Sequence, residues 1–245
     1  LPRTAFRVTI KADKTVTKPG DFNKYAERYL HLNKVPTTES VRWEIKSITL
    51  EPYGVPDMTK AYSIKLRSKT VAPLVGLSKE GILLSINTDA EETVLPPLPQ
   101  ATQDPAPADP RAFMTQEILS AGSVAKMAEL CAQEIYDIRE SRNALVRGEA
   151  DNTPKDGAQL QLMLNQLAQQ DQALTSLFAG TEHTTHEVFS LTYDPRQETN
   201  KEVLFRFSHK LGILAADDLA GDPVYISLKC TETLPQAVAD EQVAK

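Results

Sequence analysis

The chain has 245 residues, 41% hydrophobic and 24% charged, the composition of an ordinary globular protein with length for one large domain or two small ones. A compact chain of this size buries enough surface to fold without many disulfides or structural metals, and it carries only two cysteines. Its net charge of −6 and pI near 5.3 exclude nucleic acid or an anionic membrane as the main partner, because either repels an acidic surface, and no stretch gathers the basic residues of a phosphate-binding strip.

No run of about 18 apolar residues occurs, so no transmembrane segment is expected. The chain opens on Leu1-Pro2-Arg3 without an initiator Met. A trimmed leader or anchor is therefore expected, and with it an exported, periplasmic or envelope-associated protein.

From Thr4 to Ala12 apolar and polar residues alternate, which predicts a half-buried strand. Pro19-Gly20 breaks it, and Asp21 is placed to cap a short helix whose Phe22, Tyr25, Ala26, Tyr29 and Leu30 share a face. A strand over Val41, Trp43 and Ile45 shifts phase to Ile48 and Leu50, as a bulge would make it. After a Pro52–Pro56 turn come a strand with Tyr62, Ile64 and Leu66 and a hairpin closed by Ser78-Lys79-Glu80-Gly81. Residues 1–93 thus read as a β-rich region with one short helix.

Residues 94–112 carry Pro96, Pro97, Pro99, Pro105, Pro107 and Pro110 and read as an extended linker too poor in N–H donors to join a sheet. Residues 113–180 read as an antiparallel helical hairpin. One long helix spans Gln116–Arg147, with Val124, Ala128, Cys131, Ile135, Ile138 and Leu145 at steps of three and four. A second begins at Asp156, an N-terminal cap, and stops at Gly180. Apolar residues off the seam, Met127 and Leu162 among them, need cover, either from the β region or from a second copy in a homodimer through the hairpin.

Residues 181–233 return to β. Val188–Tyr193 and the alternating Val203, Phe205 and Phe207 read as a hairpin, and Val224, Ile226 and Leu228 as the last strand before a polar tail over 234–245. The fold class is α+β, with N- and C-terminal, mostly antiparallel β regions flanking the hairpin. Cys131 on the helix seam and Cys230 at a strand end read as two buried free thiols, with a single bridge in an oxidising compartment as the alternative.

None of the specific catalytic signatures is present: no P-loop, no dinucleotide-binding glycines, no nucleophile elbow and no paired-histidine metal helix. Glu182, His183, His186 and Glu187 are the best metal candidates, since imidazoles and carboxylates suit zinc; as a polar connector between a helix and a strand they need bind nothing. Tyr25, Tyr29 and Trp43 offer an aromatic platform for a sugar, or simply core packing. Arg139 and Arg142, three apart, suit a carboxylate or phosphate, unless Arg139 pairs with a nearby acid and Arg142 lies along Met163.

Several segments resemble a known family: Tyr25-Ala26-Glu27-Arg28-Tyr29-Leu30 after Lys18-Pro19-Gly20, Ile138-Arg139-Glu140-Ser141-Arg142 with Gly148-Glu149, Pro154-Lys155-Asp156-Gly157, and Leu177-Phe178-Ala179-Gly180. Together they are similar to the domain of unknown function 4831 of Bacteroidetes, over most of the chain. The resemblance implies export and supplies no activity or catalytic residue. The expected role is therefore a non-catalytic binding or assembly module of the bacterial cell envelope, with a protein or envelope component as partner and no cofactor. The alternatives are a metal-dependent hydrolase or sensor around His183 and His186, and carbohydrate binding through Tyr25, Tyr29 and Trp43.

Overall fold

Alternation in the first residues carries strand β1 over Pro2–Lys18, past the expected end at Ala12. In chain order there follow α1 (Ala26–Leu30), β2 (Ser40–Pro56), β3 (Val75–Leu77), β4 (Leu83–Ile86), β5 (Thr102–Gln103), α2 (Gln116–Leu119), α3 (Val124–Arg147), α4 (Gly157–Ala179), β6 (Thr181–Tyr193), β7 (Thr199–Ser208), β8 (Gly212–Leu214) and β9 (Asp222–Leu228). The computed structural model describes residues 2–61, 75–86, 88, 91, 94–150 and 156–230. The expected strand at Tyr62–Leu66, the Pro154 turn and the tail at 234–245 lie outside them. The architecture is α+β, with antiparallel sheets on either side of the helical pair in the chain.

Two units divide the chain: the described residues of 1–12, 45–100 and 188–245 make one, and those of 13–44 and 101–187 the other. In the first, Val8 and Ile10 of β1 and Phe205 of β7 form a core, with Ile45, Phe189, Leu191 and Val224 packed on it. Burying each such side chain is worth roughly 1.5–3 kcal/mol. Arg7 clamps Glu51 through Nε (2.8 Å) and Nη2 (2.6 Å), and the Thr49 hydroxyl donates to the Thr9 carbonyl, so β1 and β2 run antiparallel.

Three expectations for this unit are corrected. Burial along β2 keeps one phase, with Trp43, Ile45 and Ser47 inward, so Ile48 and Leu50 face outward and are not re-aimed by a bulge. The Pro52–Pro56 segment continues β2, which lies at the edge of its sheet among the described residues, where a missing N–H costs no ladder bond. Strands β6 and β7 do not form a hairpin: β6 belongs to the order β2-β1-β6-β5 and β7 to the order β8-β7-β9. Their apolar faces meet in the core instead of lying side by side. The expected hairpin at Ser78–Gly81 is present, Gly81 taking φ +80 between β3 and β4.

In the second unit the helices have local causes. Ser123 caps α3 by accepting from the Lys126 N–H, and Gly148 ends it with φ +71. Asp156 caps α4 through the Ala158 N–H. The expected single helix from Gln116 is two, because Gly122 and the Ser123 cap interrupt it after α2. Asp21 does not cap the short helix either: the turn there opens on Phe22, whose N–H donates to the Leu177 carbonyl at 2.7 Å. The core joins Phe22, Ala26 and Leu30 to Cys131, Ile135 and Ile138 of α3 and Leu174, Leu177 and Phe178 of α4. With so short a connection between them, α3 and α4 pack antiparallel.

Strand β6 begins directly after Gly180, seven residues before its apolar pattern does. Its polar start is held by polar partners on β1: Thr184 by Thr15 at 3.1 Å, Glu182 by Thr17 at 3.4 Å, and His186 by Asp13 at 2.6 Å. The proline-rich segment is not a bare linker. Thr102 and Gln103, between Pro99 and Pro105, keep their N–H groups and pair with Thr185 and His186 as β5. Farther on, Asp109 caps a single turn at Pro110–Phe113, and Phe113 and Met114 pack on the helical core.

Candidate functional site

Helix α3 carries acids and bases along its length, among them Glu134, Asp137, Arg139, Glu140 and Arg142, as an amphipathic helix with one face in water does. Helix α4 does not. In its 23 residues Asp171 is the only charged side chain, and that charge is met by Arg139, whose Nε donates to it at 3.0 Å. The buried residues of α4, Ala173, Leu174, Leu177 and Phe178, all lie in its C-terminal part. Ahead of them no residue of α4 is fully buried: Leu160, Leu164, Leu167, Gln170 and Asp171 are half-buried, and the rest are exposed.

At 3.6 residues per turn, Ala158, Leu162, Asn165, Gln169 and Gln172 fall on one outward stripe, and all are exposed. Leu162 is 67% exposed; beside the stripe Met163 is 37% exposed, and near the same end of the hairpin Val146 of α3 is 68% exposed. The steps of four, three, four and three are those of a coiled-coil seam. The C-terminal end of the stripe enters a groove of about 460 Å³ walled by Pro105 and Pro107 on one side and by Gln169, Gln172 and Ser176 on the other. A solvated helix face rarely lacks charge, whereas the centres of protein interfaces are depleted of Lys, Glu and Asp.

The residues singled out from the sequence are dispersed. His183 and His186 stand three apart on a strand, hence on opposite faces. Glu182 shares the His186 face and Glu187 the His183 face. His183 is hydrogen-bonded to Gln103, and among the described residues no group of three or more His, Cys, Asp and Glu is arranged to hold a metal. Tyr25 and Tyr29 stack at 6.1 Å and pack against the helical core, while Trp43 is 8% exposed on β2 with Lys14 over its ring. They do not share an open surface. Arg139 is spent on Asp171 and on Thr175 at 3.2 Å; Arg142 is half-buried and is not joined to it in any clamp.

His186 has a different setting from the one its neighbours in sequence suggest. Its Nδ1 lies 2.6 Å from Asp13 on β1, and its Nε2 lies 3.5 Å from Asp104, just past β5. Both ring nitrogens face carboxylates, so the imidazolium is favoured: the Asp13 hydrogen bond, chiefly, lifts the pKa above 6.5. Cys131 is buried and free, and burial pushes its thiol up to about 12, so it is inert. Cys230 is a correction: it is in no disulfide but is exposed, not buried, two residues beyond β9, with its backbone N–H on Glu198.

The signal for the α4 stripe in the sequence is the charge-free run from Gly157 to Gln170 on an apolar periodicity, which carries no reactive group. Asp13 and Asp104 carried no signal, being far from His186 in the chain. No helix among the described residues is long and apolar enough to cross a membrane. No curated protein and no solved structure matches the chain. The model of one family, described as Domain of unknown function (DUF4831), matches residues 1–245, and the chain belongs to that family.

Proposed function

We propose that this protein is a non-catalytic binding or assembly module of the bacterial cell envelope, which engages a protein surface through the outward face of α4. The observation that carries the reading is the lack of charge along that face together with the exposure of Leu162. Such a surface gains by leaving water and gives up no charge hydration in doing so. Arg139 and Asp171, with Thr175, tie α3 to α4 behind it, and a rigid face loses less entropy on binding.

The test is a photo-crosslinking side chain placed in cells at Leu162, at Asn165 and at Gln133, an exposed position of α3. Adducts at 162 and 165 and none at 133 are expected, and they should fractionate with the envelope. Equal yields at all three positions, or none, refute the α4 reading, and adducts confined to the cytoplasmic fraction refute the envelope placement.

A further inference from the structure

We infer that the occupant of the α4 face is a second copy of this chain, the two α4 helices packing antiparallel about a twofold axis at Asn165. The inference rests on the reading of α4 as a docking face and adds the identity of the partner.

The first argument is symmetry. A twofold contact needs a patch complementary to itself, each residue meeting its counterpart on the other copy. Asn165 is the midpoint of the stripe, with Ala158 and Gln172 equally far on either side. Antiparallel pairing sets Ala158 against Gln172 and Leu162 against the Ala168–Gln169 step. Ala158 and Ala168 thus leave room for Gln172 and Leu162, and the slim Gly157–Ala158 end comes to the mouth of the groove beside Pro105 and Pro107.

The second argument is chemical. Amide side chains both donate and accept, so Gln and Asn pair with themselves, as a charged side chain cannot. Gln161 Nε2 donates to Asn165 Oδ1 at 2.8 Å, which orients the Asn165 amide and leaves Nδ2 to donate across the axis. Asn165 stands on the axis of a seam whose apolar members are Ala158 and Leu162 and whose other polar members are Gln169 and Gln172, where a pairing of like amides sets the register.

The third argument is charge. Two copies at −6 repel each other, and they meet at least cost on a face with no charge of its own. A partner chosen by charge would have nothing there to recognise. The stripe spans roughly 20 Å of helix. A stripe of that length on a helix roughly 10 Å across covers less than the ~800 Å² per partner of a standard stable interface, so the dimer should be a weak, concentration-dependent one.

Sedimentation of the full chain from about 1 to about 100 μM tests this. A reversible dimer is expected, weakened at least tenfold by Leu162→Glu, with an unchanged far-ultraviolet circular dichroism spectrum because Leu162 is 67% exposed. In a Cys230→Ser background, Asn165→Cys should crosslink to itself on mild oxidation and Gln133→Cys should not. A chain monomeric throughout the range overturns the inference, as does a dimer indifferent to Leu162→Glu that fails to crosslink at 165. If the chain is monomeric while position 162 still crosslinks selectively in cells, the docking face stands and the second copy falls.

Discussion

His186 shows how little a residue's neighbours in sequence say about its chemistry. Beside His183 it suggests a metal ligand. In the fold the strand turns the two rings to opposite faces, and Asp13 and Asp104 favour the protonated form of His186 between two carboxylates. Its pKa is raised in the folded state, so its contribution to stability is fully present below the unfolded value of about 6.5 and fades as the pH rises through the folded value. The stability difference between the wild type and His186→Gln, measured by urea unfolding, should therefore be largest in mildly acidic buffer and shrink toward alkaline pH. A difference that is constant or that grows with pH would show that the ring is neutral. The imidazole was visible in the sequence; its partners, on other strands, were not.

At the scale of elements, the stop signals were the most legible features. Gly180 ends α4, and its cause is now specific: φ is +82, and an added Cβ would lie 2.4 Å from the Lys18 carbonyl oxygen and 2.9 Å from the Pro36 ring. Gly180→Ala combines left-handed backbone strain with a clash against backbone, and it should destabilise the protein by at least about 2 kcal/mol in denaturant unfolding. A loss within a few tenths of a kcal/mol would mean that the helix end relaxes away from β1. Strand beginnings were far less legible. Thr181–Glu187 shows no apolar alternation because it pairs with the equally polar Asp13, Thr15 and Thr17, and only the partner strand makes it a strand. The segment at Thr102–Gln103 joined a sheet for the same reason.

For the whole molecule, the balance of charge bears on assembly. A contact made by oppositely charged patches weakens as salt screens it, whereas one between uncharged faces of two acidic chains loses only their mutual repulsion. Raising ionic strength from about 0.05 to about 0.5 M should leave the self-association unchanged or modestly tighter, and a tenfold weakening would place the contact on a charged surface.

By itself the sequence determined the α+β class, the helical hairpin with its ends at Gly148, Asp156 and Gly180, the family, and the absence of charge over residues 157–170. These depend on residues within a few turns of one another, and local periodicity reports them. Tertiary structure alone decided that β6 lies beside β1 and not β7, that His186 sits between Asp13 and Asp104, and which side of α4 the core leaves open. Those outcomes depend on which distant segments exclude water from each other, and a one-dimensional pattern is the same whichever partner supplies the cover.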